Sequence, residues 1–373
     1  MEKFINVISF DVPYPANYGG IIDVFYKLKA LKQAKINVIL HCFEYGRAEQ
    51  KELEKYAAEV CYYKRSTSAT HLFSRIPFIV KTRTSERLKH NLLKNDYPIL
   101  FEGLHTCYLM SDLCFKKRKK IYRESNIEHE YYLHLAKAEK NKLKKIFFES
   151  EAKKLERFEK VLKNADKMLI VSETEAEYFK KKFPSSKVIY LPSFHENEKV
   201  TSKKGRGKYI LYHGKLSVPE NEAAAKFLIL HVFSKIDHPV VIAGMNPSKS
   251  LIHLTKEFKN IQLISNPSDE EMKALMSEAH LHCLYTEQAT GLKLKLLNVL
   301  FQGRHVLVNK NMTTGTSLEN ACYFADDPES WIKNINKLMQ ADFNEEDLNR
   351  RNEVLQSYLN NNQTEKLIKA VWD

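Results

Sequence analysis

The sequence is poor in the residues that build loop-rich or cross-linked proteins. Its 373 residues include 11 glycines, 11 prolines and 6 cysteines. The low glycine and proline content excludes collagen-like architectures. No two cysteines form a Cys-x-x-Cys pair, and none lies at zinc-ligand spacing from a histidine. We therefore expect reduced, buried thiols in a cytoplasmic protein rather than a framework of disulfides.

Long apolar segments are also absent. The sequence contains no run of about 18 apolar residues, which is the length that a membrane-spanning helix needs. The N-terminal segment has neither the apolar run nor the cleavage site of a signal peptide. These absences predict a cytoplasmic protein, with a peripheral position at the inner face of the membrane as the alternative.

The charge balance is strongly basic. Lys and Arg number 59 and Asp and Glu number 46, which gives a net charge of +13. Such an excess favours an anionic partner, namely a phosphorylated substrate, an anionic membrane surface or nucleic acid. No nucleic-acid-binding motif accompanies the charge, so we expect no nucleic-acid partner.

Short apolar runs alternate with helical patterns along the whole chain. Examples are INVISF from Ile5 and YPILFEG from Tyr97 in the first half, and KYILYHG from Lys208 and HPVVIAG from His238 in the second. Nearly continuous apolar runs are typical of strands buried on both faces, and their alternation with helices predicts parallel α/β sheets.

The polar segment at residues 195–207 is the best linker in the chain. We therefore predict an N-terminal domain over residues 1–200 and a C-terminal domain over 201–345. Residues 346–373 are predicted to form a helical tail.

A lysine-rich stretch from Phe115 to Lys167 is predicted to contain a long amphipathic helix. A basic helix face of this kind is also a candidate contact for anionic lipid. The apolar side chains expected to face inward are Leu143, Phe147, Leu155, Phe158 and Leu162.

Ligands of doubly wound sheets bind beyond the carboxyl ends of the strands. Gly19 and Gly20 follow the first strand and would let backbone amides approach an anion. His105 follows another buried strand, where an imidazole can move a proton or bind a sugar hydroxyl. Lys215 follows the first strand of the second half, where it can meet a phosphate. A tight turn, a structural histidine and a solvated lysine are the ordinary alternatives.

A fourth junction, TGLKLKLLNVLFQ, carries the clearest physical signal. Lys293 and Lys295 fall in the first turn of a predicted helix, where cations oppose the helix dipole unless an anion binds as well. Gly291, Lys295, Asn298 and Gln302 share one face at helical spacing. This polar strip suits a diphosphate at the start of the helix and a ribose further along it.

The segment ATGLKLKLLNVLFQGRHVLV resembles the donor-site helix of glycosyltransferase family 4, whose members have the GT-B fold. The resemblance extends to the YGG loop and to RESNIEHEYY, LIVSETEAEYF and YHGKLSVPENEAAAKFL. It implies two Rossmann-like parallel-sheet α/β domains that face a cleft. It also implies a hexosyltransferase-type enzyme that moves a sugar from a nucleotide-diphosphate sugar to an acceptor hydroxyl, with retention and without a metal.

The resemblance also implies roles for particular residues. His105 would line the reaction centre, and Arg123, Asn126 and His129 would contact the acceptor. The donor would be bound by Gly19, Gly20, Lys215, Thr290, Gly291, Lys293, Lys295 and Asn298. Thr290 and Asn298 stand where the family usually carries two glutamates, and an asparagine can still hydrogen-bond ribose hydroxyls.

The expected partners are a nucleotide-sugar donor and a glycan or lipid-linked acceptor of surface-polysaccharide assembly. An anionic membrane surface is a further candidate partner. The sequence has no metal-binding motif such as HExxH, so we expect neither a metal nor another cofactor. Two alternatives remain open, namely a nucleotide-sugar epimerase and a degenerate nucleotide-sugar-binding or scaffold protein.

Overall fold

The chain folds into two compact units. A computed structural model describes residues 2–289 and 291–373. The first unit comprises the chain up to Glu196 together with Asn360–Asp373, and the second comprises Asn197–Leu359. Each unit is built on one sheet of its own, as the sequence predicts.

Seven strands form the sheet of the first unit, and every adjacent pair is parallel. The strands are β1 Lys3–Ser9, β2 Ile36–Glu44, β3 Glu59–Lys64, β4 Ile99–Glu102, β5 Lys120–Arg123, β6 Lys167–Ile170 and β7 Lys187–Tyr190. Their order across the sheet is β3-β2-β1-β4-β5-β6-β7. The helices between them are α1 Gly19–Gln33, α2 Phe78–Lys81, α3 Glu86–Leu92, α4 Glu128–Ala138, α5 Lys142–Phe158 and α6 Glu173–Lys182.

Six parallel strands form the sheet of the second unit. They are β8 Ile210–His213, β9 Val240–Gly244, β10 Ile261–Ser265, β11 Leu281–Leu284, β12 His305–Val308 and β13 Tyr323–Phe324. Their order is β10-β9-β8-β11-β12-β13. The helices are α7 Pro219–His231, α8 Lys249–Lys256, α9 Asp269–Glu278, α10 Leu294–Gln302, α11 Lys310–Thr313, α12 Pro328–Gln340 and α13 Glu345–Leu355.

Both sheets are covered by helices on both faces, which explains their continuous apolar strands. In β4, Ile99 and Phe101 belong to one apolar core and Leu100 belongs to the other. In β8, Ile210 and Leu211 are likewise divided between two cores. Successive side chains of a strand point to opposite faces, so a strand buried on both sides needs an apolar residue at every position.

The two sheets share one topological feature that positions the candidate sites. In each, the first strand lies beside the fourth, so β1 pairs with β4 and β8 pairs with β11. The chain winds away in opposite directions from that pair, which leaves a crevice at the carboxyl ends of the two strands. The loops that follow these four strands are therefore the places to look for ligand contacts.

A buried ion cluster ties α1 to the centre of the first sheet. Arg123, at the end of β5, donates two hydrogen bonds of 3.0 Å to the carboxylate of Asp23 on α1. Lys27 donates to Asp23 at 2.9 Å and to Glu102, at the end of β4, at 2.7 Å. Burial opposes ionisation of Asp23, but Arg123 and Lys27 outweigh it and hold the pKa of this carboxyl well below its usual range.

Residues 346–373, which were predicted to form one helical tail, are divided between the two units. Helix α13 remains in the second unit, where Leu355 lies in the core. The last helix, α14 Asn360–Trp372, packs on α1 of the first unit instead. Leu367 of α14 is fully buried in the same core as Leu28 of α1.

The lysine-rich stretch contains the predicted amphipathic helix as α5, which β5 and the shorter α4 precede. Helices α4 and α5 form a hairpin, and a short 3₁₀ segment, Glu159–Asn164, follows α5. Leu155 and Leu162 are buried as expected, whereas Leu143 is 79% exposed. The expectation for Leu143 is wrong because α5 begins at Lys142, so Leu143 lies in a first turn that reaches beyond the core. In residues 2–289 and 291–373, we find no helix with the length and apolar content that crossing a membrane would require.

The packing of α14 predicts that the C-terminal helix stabilises the first unit. Leu367→Ala removes a fully buried side chain from that core and should lower the free energy of unfolding by about 2–5 kcal/mol. The exposed neighbour Lys366 offers the matched control Lys366→Ala, which should change little. Urea unfolding followed by circular dichroism measures both variants, and equal stabilities would show that α14 adds nothing to the core.

Candidate functional site

The first loop of unit 1 connects β1 to α1, and α1 begins at Gly19 as the sequence predicts. A Cβ atom on Gly20 would lie 2.7 Å from the ring of Phe10, so a glycine is needed for this close approach. Tyr18 precedes the helix and accepts no capping hydrogen bond on its side chain. The first amides of a helix have no partner within it, so those of α1 are suited to bind an anion.

His105 lies where the ends of β1 and β4 meet. Its ring stacks on that of Phe10, which follows β1, with the centroids 5.1 Å apart. Gly103 makes the turn out of β4 with a φ of +71°, and a Cβ atom there would lie 2.9 Å from His105 Nδ1. The His105 side chain is 18% exposed. The imidazole is therefore held from one side and open on the other.

Glu128, which the sequence did not single out, accompanies His105. Its Oε1 lies 3.7 Å from His105 Nδ1 and accepts a hydrogen bond of 3.2 Å from Ser125 Oγ. Burial raises the pKa of Glu128 to about 7, although Ser125 and Arg83 lower it. Burial, together with Arg83 and Arg65, holds the pKa of His105 well below its usual range. The pair thus joins a neutral imidazole to a carboxyl group that titrates near neutral pH.

The three expected acceptor residues do not converge on one point. Arg123 is 1% exposed, and its guanidinium is engaged by Asp23 and by backbone carbonyls. The structure therefore gives Arg123 a scaffold role in place of the expected contact. His129 Nδ1 lies 3.8 Å from Glu159 Oε1. Asn126, which lies between Arg123 and His129 in the sequence, is half-buried. RESNIEHEYY thus contributes Glu128 to the surroundings of His105, while its arginine supports the sheet.

In unit 2, one asparagine connects two of the predicted donor residues. Asn221, on α7, donates from Nδ2 to the carbonyl oxygen of Lys215 at 3.1 Å. Its Oδ1 accepts from Lys295 Nζ at 3.0 Å. The loop after β8 and the first turn of α10 are therefore joined at the centre of the second sheet. The sequence shows no such link, because Asn221 lies 74 residues from Lys295.

The two lysines differ in their surroundings. Lys215 is exposed, whereas the ammonium of Lys295 lies 5.8 Å from the centre of the Tyr212 ring. Burial lowers the pKa of Lys295 to about 8, Glu220 opposes this shift, and Lys293 adds to it. A buried ammonium with a lowered pKa gains stability when an anion binds beside it.

The first turn of helix α10 contains only one of the two lysines that were expected there. Leu294 is its first residue, so Lys295 lies in the first turn and Lys293 occupies the N-cap position. Lys293 Nζ donates to the carbonyl oxygen of Gly291, which has a φ of +67°. Thr290, also expected in the donor site, lies outside the described residues.

The polar strip along α10 continues to the segment that opens unit 2. Asn298 Oδ1 accepts from Asn197 Nδ2 at 2.9 Å, and Gln302 Nε2 donates to Asn197 Oδ1 at 2.7 Å. The amide oxygen of Asn298 is therefore engaged within the protein, and its NH₂ group is the part available to a ligand. Across residues 2–289 and 291–373, no three His, Cys, Asp or Glu side chains form a group that could hold a metal ion.

Sequence comparisons relate the chain to a protein of similar length. No protein-family model matches the chain. An uncharacterized 44.6 kDa protein in the cps region of Klebsiella pneumoniae is 26% identical over 384 residues, which cover 92% of this chain and 94% of that protein.

Solved structures match over nearly the full length of the chain. A TarM variant from S. aureus, in complex with fondaparinux, α-GlcNAc-glycerol and UDP, gives a TM-score of 0.66 at 10% identity and covers 100% of both chains. A glycosyltransferase from Rickettsia africae gives 0.65 at 12% identity, with 99% of this chain and 97% of that chain covered. HepE from Anabaena, in complex with UDP and glucose, gives 0.64 at 10% identity and covers 98% of each chain. The chain therefore has the GT-B fold of glycosyltransferases, and the expected fold is confirmed.

The burial of Glu128 predicts a pH-dependent cost to stability. Because its pKa is raised in the folded state, the folded protein binds this proton more tightly than the unfolded chain does. The cost is absent below the ordinary carboxyl pKa and grows as the pH rises to about 7. Glu128→Gln should therefore match the wild type near pH 4 and be more stable by about 3 kcal/mol near pH 8. Urea unfolding at both pH values measures this, and a difference that does not change with pH would contradict it.

Proposed function

We propose, from the GT-B fold and the geometry of unit 2, that this protein is a glycosyltransferase that uses a nucleotide-diphosphate sugar. The observation that carries the proposal is the pair of lysines, Lys215 and Lys295, that Asn221 connects at the mouth of α10. The ammonium of Lys295 in the first turn of a helix, with a second lysine on the adjoining loop, suits an anion with more than one charge.

The leaving group of such a reaction is a nucleoside diphosphate, whose negative charge grows in the transition state. Lys215 and Lys295 stabilise that charge together with the first amides of α10, and Lys293 and Gly291 complete this end of the site. The NH₂ group of Asn298 donates to a ribose hydroxyl, since its oxygen is already engaged by Asn197. Thr290 remains part of the proposed donor site. The first amides of α1, at Gly19 and Gly20, are proposed as donor contacts of unit 1.

Unit 1 contributes the side chains for the acceptor and the reacting sugar. His105 is neutral and open on one side, so it exchanges hydrogen bonds with a sugar or acceptor hydroxyl, while Glu128 and Phe10 hold its ring. Asn126 and His129 lie on the next helix and its approach, and we propose that they contact the acceptor.

The resemblance and the relatives support a reaction class and an acceptor. We propose transfer with retention at the anomeric carbon and without a metal ion. The structural neighbours include proteins in complex with UDP, one of them also with glucose. The relative in the cps region supports a role in the assembly of a surface polysaccharide. The acceptor is then a glycan or lipid-linked glycan, met in the cytoplasm or at the inner face of the membrane.

The donor site predicts separate effects for the two lysines. Lys295→Ala should weaken UDP binding by about one to two orders of magnitude, because a charge-assisted hydrogen bond to phosphate contributes roughly 1.5–3 kcal/mol. Lys215→Ala should act in the same direction, and Lys235→Ala, an exposed lysine of the same unit, is the matched control. In the wild type, affinity should fall above about pH 8 as free Lys295 loses its proton. Isothermal titration calorimetry measures each constant.

Two results would remove the basis for a diphosphate site. One is unchanged affinity in both the Lys215 and Lys295 variants. The other is an equal loss in the Lys235 variant, which would show that general surface charge attracts the nucleotide.

The site in unit 1 predicts loss of transfer without loss of donor binding. His105→Ala should lower the rate of sugar transfer by at least about a hundredfold, since positioned proton-transfer groups contribute about that much or more. The UDP dissociation constant should stay within about twofold. Assays with EDTA present and NMR of the product's anomeric proton test metal independence and retention. Nucleotide binding without turnover in the wild type would favour the binding or scaffold protein instead.

A further inference from the structure

The tip of the α4–α5 hairpin combines charge and exposed apolar side chains. We define this tip as residues 137–146, KAEKNKLKKI, which hold five lysines and one glutamate. All five lysines are exposed, and no ion pair joins them to an acidic group in the described chain. Leu143 is 79% exposed and Ile146 is 61% exposed. A net charge of +4 therefore surrounds two large apolar side chains in water.

The tip is an ordered part of the fold. Asn141 caps α5, because its Oδ1 accepts hydrogen bonds from the amides of Leu143 and Lys144 at 3.0 and 3.2 Å. Further along the hairpin, Tyr132 of α4 packs against Phe148 of α5 with ring centroids 5.9 Å apart. These contacts hold Leu143 outward, so its exposure follows from the way the helix begins.

A third exposed apolar side chain, that of Phe73, lies on the same side of α5. Lys154 Nζ donates to the carbonyl oxygen of Leu72 at 2.9 Å, which fixes the short helix Ala69–Phe73 beside α5. Phe73 is 90% exposed. Leu143 and Lys154 are 11 residues apart, so they lie on one face of the helix at a separation of about 16 Å. Phe73 and the tip therefore belong to one side of the hairpin.

We infer that the hairpin tip and Phe73 dock on the surface of an anionic lipid bilayer. The acidic headgroups attract the lysines. Leu143, Ile146 and Phe73 enter the apolar boundary just below the headgroups. The inference deepens the proposed function by naming the membrane-contact surface, and it rests on that function only for the location of the acceptor.

Other occupants explain fewer of these features. A nucleic acid would attract the lysines and leave the three apolar side chains in water. A second copy of the chain would bring two tips of charge +4 together, which like-charge repulsion opposes. Only a surface that is both anionic and apolar satisfies the whole arrangement.

The test measures binding of the full chain to vesicles without donor or acceptor. The vesicles contain equal parts of phosphatidylglycerol and phosphatidylcholine, and vesicles of phosphatidylcholine alone serve for comparison. We expect binding to the anionic vesicles that weakens as salt is added. Lys144→Ser with Lys145→Ser should weaken it about tenfold and reduce its salt dependence.

The apolar contribution is tested by Leu143→Ser with Ile146→Ser, and separately by Phe73→Ser. We expect the double variant to weaken binding about tenfold while its salt dependence stays unchanged. Leu113, which is 83% exposed elsewhere on unit 1, offers the apolar control Leu113→Ser. The charge control is Lys180→Ser with Lys181→Ser, both exposed at the end of α6. Both controls should bind as the wild type does.

Three outcomes would overturn the inference. They are equal binding to neutral vesicles, an equal loss in the control variants, and binding to single-stranded RNA in place of vesicles. Calorimetry of UDP with the tip variants separates this inference from the proposed function. Tight UDP binding without vesicle binding refutes the docking surface alone, and vesicle binding without UDP binding refutes the donor site alone.

Discussion

The carboxylate of Asp23 is the group on which the arrangement of the first unit depends. It accepts hydrogen bonds from Arg123, Lys27 and the amide of Phe194, so it connects a helix, a strand end and the segment that follows β7. Lys27 extends the connection to Glu102. Each charge is buried, and removing one partner from such a cluster costs about 3–5 kcal/mol because the others are left uncompensated.

This cluster also determines where the candidate site of the first unit lies. Glu102 is the last residue of β4, and Gly103 and His105 follow it directly. Asp23 lies one turn beyond the start of α1 at Gly19. The ion cluster therefore holds in place both the imidazole and the helix N-terminus at the crevice between β1 and β4. A rigid support of this kind is what a site needs when its groups must stay in position during a reaction.

Each unit has its own crevice beside its first and fourth strands, and different side chains line the two crevices. In unit 1 the crevice holds a histidine, a buried glutamate and an aromatic ring, and burial together with nearby arginines keeps the histidine neutral. In unit 2 it holds lysines around the N-terminus of α10. The first set suits hydrogen bonds and proton movement, and the second suits an anionic group. One backbone topology thus positions both sets, and the side chains in the loops decide what each does.

Much of the fold could be predicted from the sequence because its signals are local. Continuous apolar runs such as those of β4 and β8 indicated parallel sheets, and Gly19 indicated the start of a helix. The divided tail could not be predicted, since the helical stripes of α13 and α14 look alike and only their packing partners differ. The exposure of Leu143 depends on the residue at which α5 begins. The repeating pattern of apolar residues does not identify that residue.

For the site, the sequence by itself determined which residue types stand at the ends of strands, because that depends on spacing along the chain. His105 and Lys215 were predicted in this way, and Lys295 was predicted from its place in the first turn of a helix. Only the tertiary structure decided which of them have partners. Asn221 bonds to Lys215 and to Lys295, which lies 74 residues further along the chain. Glu128 becomes a partner of His105 because β4 and β5 pair side by side. Burial, and with it the pKa of a carboxyl or an ammonium, is a property of what surrounds a group in space, so no spacing along the chain contains it.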